Sequence, residues 1–274
     1  MDNDRFQPVD MRRISHSELL AMIAQGKTPV PNSATLDGQT SYDCPHCRDT
    51  GRVTVIERHH GVDCEVSYRC KHCWEKREYT RLLRASGMGD AFSDKVFDNF
   101  KPWNREAAMA RATAMRYAIE FDTIEHSDAN SLALLGTVGA GKTMLGCCVL
   151  NELLSRNIGV RYTKYGEMMQ KLKQNAMDEE AYNRHLGNYV NARVLFIDDL
   201  FKDSRTQADL NHLYKVIDGR YFARRPMIIT SEMTIDQLAD IDLAIGSRIA
   251  ERCSNYAFTF LSGREGNYRL RGLI

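Results

Sequence analysis

The sequence contains no apolar run long enough to cross a membrane and no strong excess of charge of either sign. A membrane-spanning helix needs about 20 consecutive apolar residues, whereas charged residues make up 27% of this chain and interrupt every apolar stretch. The first residues also lack the apolar segment of a secretory signal peptide. The net charge is only +1, so any contact with nucleic acid must come from a local basic patch. We therefore expect a cytoplasmic protein.

The eight cysteines do not follow the pattern of a secreted, disulfide-bonded protein. Four of them form two CxxC pairs at the spacing of a zinc ribbon: Cys44, Cys47, Cys70 and Cys73. Four thiolates complete a tetrahedral site with no open position, so we predict a structural Zn²⁺ ion. Its binding would supply the folding energy of a module whose core is too small to fold alone.

Several residues near the two CxxC pairs are alternative ligands. They are Cys64, His46, His59, His60 and His72. A redox function of the CxxC pairs is the competing interpretation, but it does not explain why the motif is duplicated at ribbon spacing. The other cysteines lie in apolar helical sequence and are expected to be buried, unreactive thiols. They are Cys147, Cys148 and Cys253.

Composition shifts divide the chain into four predicted segments. Residues 1–40 form an N-terminal helix and a linker, 41–80 the zinc-binding module, 81–105 a connector, and 106–274 an α/β domain. In this last segment, short apolar strands alternate with helical patterns, which favours a five-stranded, mostly parallel sheet covered by helices. The predicted strands are 131–136, 158–163, 193–198, 226–231 and 256–261. The predicted helices after the first strand are 142–156, 165–176, 178–191, 206–223, 234–240 and 242–253.

The stretch "GTVGAGKT", residues 136–143, matches the P-loop pattern G-x-x-x-x-G-K-[ST] and lies between a predicted strand and a predicted helix. Glycines in such a loop let backbone N–H groups surround a phosphate at the N-terminus of the helix. We predict that Lys142 reaches the β- and γ-phosphates of ATP and that the Thr143 hydroxyl is a ligand of Mg²⁺. The predicted nucleotide-binding residues are Gly136, Val138, Gly139, Ala140, Gly141, Lys142, Thr143 and Met144.

The stretch "VLFIDDLF", residues 194–201, is an apolar strand that leads into two adjacent carboxylates. In P-loop proteins a second buried strand ends beside the P-loop with an aspartate that holds Mg²⁺. Asp198 fits that position. Asp199, the next residue, is then placed to polarise the attacking water as a general base.

The flanking sequence resembles a known family. "LLGTVGAGKTMLGCCVLNELLSRNIGVRYTKYGEMMQKLK", "FSDKVFDNF", "RPMIITSEMT", "IGSRIAERC" and "NYRLRGL" follow one another in the order found in the DnaC/DnaI/IstB group of AAA+ ATPases. This group includes bacterial and phage replicative-helicase loaders and their transposition relatives. The resemblance covers about residues 92–274 and implies an AAA+ P-loop NTPase core.

The resemblance also implies roles for three arginines. Arg248 resembles the arginine finger that reaches the ATP of a neighbouring subunit, and Arg252, one helical turn later, is the alternative. Arg269 resembles the sensor-2 arginine, which contacts the γ-phosphate of its own subunit. A finger supplied in trans implies self-association into a ring or a helical oligomer.

One segment departs from the family pattern. The loaders usually carry asparagine at the end of the sensor-1 strand, where this chain has Thr230, Ser231 and Glu232. A carboxylate near a γ-phosphate is repelled unless it turns away or pairs with a cation. Either Ser231 performs the sensing, or Glu232 pairs with an arginine such as Arg248.

Two segments suggest contacts with single-stranded DNA. In "LFKDSRTQ", Phe201 could stack on a base while Lys202 and Arg205 contact the backbone, although an ordinary solvated loop explains the same residues. In "GRYFARR", residues 219–225, the spacing of Tyr221 and Phe222 favours the core instead. Met168, Met169 and Leu172 similarly predict a buried helix face.

The sequence therefore predicts a slow, partner-stimulated ATPase that binds a DnaB-type replicative helicase and places it on single-stranded DNA during replication initiation. By resemblance, residues 1–80 would bind the helicase, although zinc ribbons also bind nucleic acid. The alternatives are an IstB-like transposition helper and a zinc-ribbon nucleic-acid adaptor in which nucleotide is only a structural switch.

Overall fold

A computed structural model describes residues 29–30, 42–59, 62–89, 92–202 and 206–270. The chain divides into two compact units, Met1–Glu78 and Tyr79–Ile274. The helix predicted near the N-terminus lies outside the described residues. None of the helices in the described ranges is long and apolar enough to span a bilayer.

The first unit contains a small antiparallel sheet in the order β1-β2-β3. Its strands are β1 (Pro29–Val30), β2 (Arg52–His59) and β3 (Val62–Arg69). Arg52 pairs with Arg69 at the open end of the β2–β3 hairpin. One CxxC pair directly precedes β2 and the other directly follows β3, so the hairpin brings both pairs to the same end. Helix α1 (Trp74–Ser86) begins here and contains the point at which the chain divides.

The second unit is built on a five-stranded sheet in the order β5-β6-β7-β4-β8, in which all neighbouring strands are parallel. The strands are β4 (Leu132–Gly136), β5 (Val160–Lys164), β6 (Val194–Leu200), β7 (Met227–Ser231) and β8 (Ala257–Phe260). The predicted α/β fold and its five-stranded parallel sheet are confirmed.

Seven further α-helices lie in the part of this unit that the structure describes. They are α2 (Arg105–Ile124), α3 (Lys142–Ser155), α4 (Tyr165–Gln174), α5 (Glu179–Val190), α6 (Gln207–Phe222), α7 (Ile235–Ile241) and α8 (Leu243–Arg252). Side chains cap several N-termini, where backbone N–H groups lack helical partners. Thr206 and Asp209, for example, form a reciprocal capping box at the start of α6.

The sheet is buried on both faces, and alternate strand residues enter two different cores. Leu134 and Phe196 pack with α2 and α3 on one face. Leu135 and Ile197 pack on the other face with α4, α5, α6, α7 and α8. This explains why the strands are continuous apolar runs rather than alternating patterns. The predicted burial of Met168, Met169 and Leu172 on α4 is confirmed.

The end of α6 differs from the sequence prediction. Phe222, expected in the core, is 73% exposed, whereas Arg220 is fully buried. The Arg220 guanidinium donates hydrogen bonds to the carbonyl oxygens of Tyr189, Ala192 and Pro226. Five fixed donors allow an arginine to satisfy several buried carbonyls at once, so here the basic residue, and not the aromatic one, ties the helix to the start of β6.

Candidate nucleotide-binding site and cysteine cluster

The P-loop connects the end of β4 to the first turn of α3, as the motif requires. Gly136 and Gly141 have φ of +91° and +84°, a region that favours glycine. A Cβ at Gly136 would collide with the carbonyl oxygen of Phe260, and one at Gly141 would lie 2.9 Å from the Phe100 ring. These glycines therefore let the loop adopt a cradle shape. Backbone N–H groups of the loop and of the α3 N-terminus can then bind the same phosphate.

Lys142 is almost completely buried and folds back over the loop. Its Nζ donates to the carbonyl oxygens of Gly136 and Thr137, each at 2.7 Å. Burial lowers the pKa of Lys142 to about 8, and the nearby carboxylates of Glu232 and Asp199 oppose that shift. A partly desolvated ammonium without a carboxylate in direct contact is well suited to bind phosphate oxygens.

A cleft of about 450 Å³ opens beside the loop, a volume within the range of small-molecule sites. The P-loop residues Val138–Met144 form one side of it. Four aromatic side chains and several charged groups complete the wall; they include Phe100, Trp103, Tyr268, Asp199, Lys202, Glu232 and Arg269. Every predicted nucleotide-binding residue except Gly136 lines this cleft, and the Gly136 carbonyl accepts the Lys142 hydrogen bond.

Asp198 is buried at the base of the site and accepts hydrogen bonds on both oxygens. Thr143 Oγ1 donates to Asp198 Oδ1 at 2.9 Å, and Thr230 Oγ1 donates to the same oxygen. Tyr162 donates to Oδ2 at 3.0 Å, and burial together with Asp198 raises the pKa of Tyr162. A hydroxyl and a carboxylate oxygen in contact are hard oxygen donors of the kind that Mg²⁺ prefers.

Sequence reasoning missed Tyr162 and the contact of Thr230 with Asp198; both residues hold this aspartate in place. Both lie at or near the C-terminal ends of strands that flank β6. Because successive strand residues point to opposite faces of the sheet, both side chains also lie on the face that packs against α3. The available signal was therefore positional: polar residues at adjacent strand ends of a parallel sheet meet at one edge.

Asp199 points into the cleft because the strand is irregular at this point. The β6–β7 register shifts between Ile197 and Leu200, and Asp199 has a left-handed φ of +57°. Such a bulge redirects a side chain. The Asp199 N–H donates to Thr230 Oγ1 at 2.9 Å, and its Oδ2 lies 2.9 Å from Lys202 Nζ. Thr230 thus links the two acids, one through its carboxylate and the other through its backbone.

The structure does not place Ser231 in the cleft. This candidate sensing residue is fully buried, and its hydroxyl donates to the Leu200 carbonyl at 2.7 Å. Glu232 lines the cleft instead. Its oxygen lies 3.7 Å from Lys202 Nζ, so it pairs with that lysine and not with Arg248. The negative charge of Glu232, which follows β7, is therefore balanced by Lys202, which follows the neighbouring strand β6.

In the first unit, the Sγ atoms of the four CxxC cysteines lie within 4.8 Å of one another. The four residues, all buried, are Cys44, Cys47, Cys70 and Cys73. Arg77 donates to Cys73 Sγ at 3.2 Å, which places a positive charge beside the cluster. Four converging sulfurs are the donor set of a closed tetrahedral metal site, so the residues fit Zn²⁺.

Among the described alternative ligands, Cys64, His46 and His72 are not part of this cluster. Cys64 is buried on β3, where its thiol donates to the Val62 carbonyl. His46 and His72, one from each CxxC pair, stack face to face with ring centroids 3.4 Å apart. His59 lies on β2, and His60 falls outside the described residues. The remaining cysteines of the chain are buried as expected.

Comparison with known proteins identifies the family of this chain. The family model described as "IstB-like ATP binding protein" matches residues 69–263, which is most of the chain. The chain belongs to the IstB-like ATP-binding protein family. It is 33% identical to the phage-like element PBSX protein XkdC of Bacillus subtilis (strain 168) over 274 residues, which cover 96% of this chain and 100% of that protein.

Solved structures confirm the AAA+ fold of this IstB-like ATPase. The crystal structure of DnaI matches with a TM-score of 0.53 and 23% identity, covering 63% of this chain and 93% of that one. The crystal structure of the DnaC helicase loader matches with a TM-score of 0.54 and 20% identity, covering 63% and 100%. At these identities the likeness concerns the fold.

The three arginines of the IstB-like protein have different surroundings. Arg269 lines the cleft, as a residue acting on nucleotide in its own subunit must. Arg248 lies outside that lining on α8, where its guanidinium is 2.9 Å from Asp218 and above the ring of Tyr214. Arg252 is buried and donates to the Asp128 and Tyr221 carbonyls. Arg252 is therefore a structural residue and cannot be the alternative finger.

The predicted stacking of Phe201 on a DNA base is wrong. Phe201 is only 2% exposed and packs edge-on against Tyr165, so it cannot stack on a base. Lys202 faces the nucleotide cleft. Arg205 lies outside the described residues. The register shift in β6 explains the difference, because it turns the following side chains by an amount that strand periodicity does not predict.

Proposed function

We propose that this IstB-like ATPase is a helicase loader that binds a replicative DnaB-type ring helicase and places it on single-stranded DNA. Two features together carry the proposal. One is the cleft beside the P-loop, where Asp198 and Asp199 are held by different hydrogen-bond partners. The other is a separate unit built around four cysteines. The first arrangement suits a nucleotide-controlled switch and the second suits a partner-binding module. The fold shared with the DnaC helicase loader supports this assignment.

In this proposal the cleft binds ATP with Mg²⁺. Lys142 and the N-terminus of α3 bind the phosphates, while Thr143 and Asp198 supply the oxygen ligands of the metal. Bound Mg²⁺ neutralises charge that develops on the phosphates. Asp199 accepts a proton from the attacking water, and Arg269 contacts the γ-phosphate.

The tryptophan in the aromatic wall of the cleft provides a fluorescence signal for nucleotide binding. Trp103 packs against Tyr268 with ring centroids 4.8 Å apart. A bound nucleotide would change the surroundings of this indole ring. The chain contains two tryptophans, Trp74 and Trp103, so a Trp74→Phe background isolates the signal from the cleft. In this background, Trp103 fluorescence reports ATP affinity.

We further propose that the cysteine cluster holds structural Zn²⁺. The purified chain should contain one zinc ion per molecule, and a Cys44→Ser/Cys70→Ser variant should contain almost none, because two ligands are not enough for a stable tetrahedral site. The measurement is elemental analysis after dialysis against a mild chelator. Cys64→Ser is the matched control, since it removes a buried thiol of the same unit that lies outside the cluster. Zinc loss in that control, or zinc retained by the double variant, would refute the assignment.

The loader function itself predicts selective capture of a helicase. Immobilised full-length protein should retain a purified replicative ring helicase, and a version without residues 1–78 should not, because the cysteine unit is proposed to make the contact. The shortened version lacks Trp74, so Trp103 fluorescence reports whether its nucleotide cleft remains intact. Equal capture by both versions, or capture by neither, would contradict the model.

The family match supports a second candidate function, that of an IstB-like helper of transposition. It uses the same ATP site but a different partner. In the capture experiment, binding of a transposase in preference to the helicase would support it. A third possibility, a nucleic-acid adaptor with a purely structural nucleotide, is ruled out if ATP turnover is measurable and Lys142→Ala abolishes it.

A further inference from the structure

A cation that the mechanism above does not use is in contact with the proposed general base. Lys202 Nζ lies 2.9 Å from Asp199 Oδ2 and 3.7 Å from Glu232 Oε1. All three side chains line the nucleotide cleft. Hydrogen bonding to Asp199 is the main cause that raises the pKa of Lys202, so the lysine carries its charge at neutral pH.

The chain geometry fixes Lys202 in this position. Asp199 and Phe201 both have left-handed backbone angles, with φ of +57° and +60°. The Lys202 N–H donates to the Asp199 carbonyl at 3.1 Å, which closes a tight turn. The buried Phe201 ring packs against Tyr165 and anchors that turn. As a result, the lysine side chain returns over the carboxylate three residues before it.

This contact affects the chemistry expected of Asp199. A general base must offer a free carboxylate oxygen to the proton it accepts. The Lys202 ammonium is hydrogen-bonded to one of the two oxygens, Oδ2, and so occupies that acceptor and fixes the orientation of the carboxylate. While the pair is intact, the carboxylate of Asp199 is therefore held against the ammonium and restrained from turning toward an attacking water.

We propose that Lys202 is a positioning residue that restrains Asp199 and slows ATP hydrolysis in the protein without its partners. The proposal rests on the role of Asp199 given under the proposed function. Glu232 is the second anchor of the ammonium. With Lys202 present, the charge of Glu232 is balanced, and the cleft accepts the γ-phosphate without an opposing carboxylate.

Replacing Lys202 should change the rate of ATP hydrolysis and the affinity for ATP in opposite directions. In the full chain without partners, Lys202→Met should increase the single-turnover rate of ATP hydrolysis about two- to fivefold, the range expected for a partly exposed ion pair. It should also weaken ATP binding, measured by Trp103 fluorescence, because Glu232 then faces the phosphates unpaired. Lys202→Arg, which keeps the cation, should resemble the wild type more closely than the methionine variant does. Lys171→Met is the matched control, since it removes an exposed lysine of α4 and should change neither quantity.

Two double variants test the assignment of each carboxylate. Lys202→Met/Glu232→Gln should regain ATP affinity and keep the faster rate. Lys202→Met in an Asp199→Asn background should give no rate increase, because the restrained group is absent. A rate that is unchanged or lower in Lys202→Met, or a rate gain that persists without Asp199, overturns the proposal. The assays contain no helicase, so a failed capture experiment with these rates intact would refute loading but not the restraint.

Discussion

Asp199→Asn should lower the single-turnover rate of ATP hydrolysis by about 100-fold or more, the usual contribution of a positioned general base. ATP binding should be unchanged or slightly tighter, because the P-loop contacts remain and one negative charge leaves the cleft. Asparagine is the best substitute at this position since it tolerates the left-handed backbone that Asp199 adopts. The effect is therefore chemical and not a consequence of backbone strain.

The control for this measurement is Asp178→Asn. Asp178 caps α5 through its side chain, and asparagine caps a helix equally well. The control thus removes a carboxylate outside the cleft without changing the fold. Wild type and Asp199→Asn should be compared with and without single-stranded DNA, since we expect the wild-type rate to rise when the site closes. Equal rates for the two proteins in both conditions would exclude Asp199 from catalysis.

Arg248→Ala should reduce the hydrolysis rate of the assembled protein by about 1000-fold, as is typical when an arginine finger is removed. Within one chain this arginine pairs with Asp218 and does not line the cleft, so we propose that it acts on the nucleotide of a neighbour. The measurement is steady-state hydrolysis at protein concentrations at which the chain self-associates. Arg224→Ala, which removes a surface arginine paired with Asp128, is the control.

Mixing variants tests whether the finger acts in trans. Asp199→Asn has an intact Arg248, and Arg248→Ala has an intact Asp199. A mixed assembly therefore contains some complete sites at subunit boundaries, and activity should reappear when the two inactive proteins are combined. No recovery on mixing, with both variants folded and self-associating, would place the function of Arg248 within its own chain.

Much of this molecule follows from local sequence patterns. The P-loop, the five strands and the CxxC pairs are each defined by residues close together in the chain, and their meaning depends on spacing alone. Parallel pairing then brings the ends of β4 and β6 to the same edge of the sheet. For that reason the contact between Thr143 and Asp198 could be expected without a structure.

Side-chain direction after the irregularity in β6 could not be predicted in this way. A single shift in register decides that Phe201 is buried, that Lys202 returns to the cleft, and that Asp199 meets the lysine. Arg220 and Arg252 show a second limit. Basic residues on helices are usually exposed, and their burial here depends on backbone carbonyls from distant segments that a helical pattern does not reveal.

The most direct test of the loader function is the delivery of a ring helicase to DNA. A closed single-stranded circle, coated with single-strand-binding protein and carrying a short annealed strand, is incubated with the replicative helicase and ATP. We predict that the wild-type protein stimulates release of the annealed strand and that Lys142→Ala, which has lost its main phosphate-binding side chain, does not. Release that is equally fast without the protein, or with the Lys142→Ala variant in its place, would contradict ATP-dependent helicase loading.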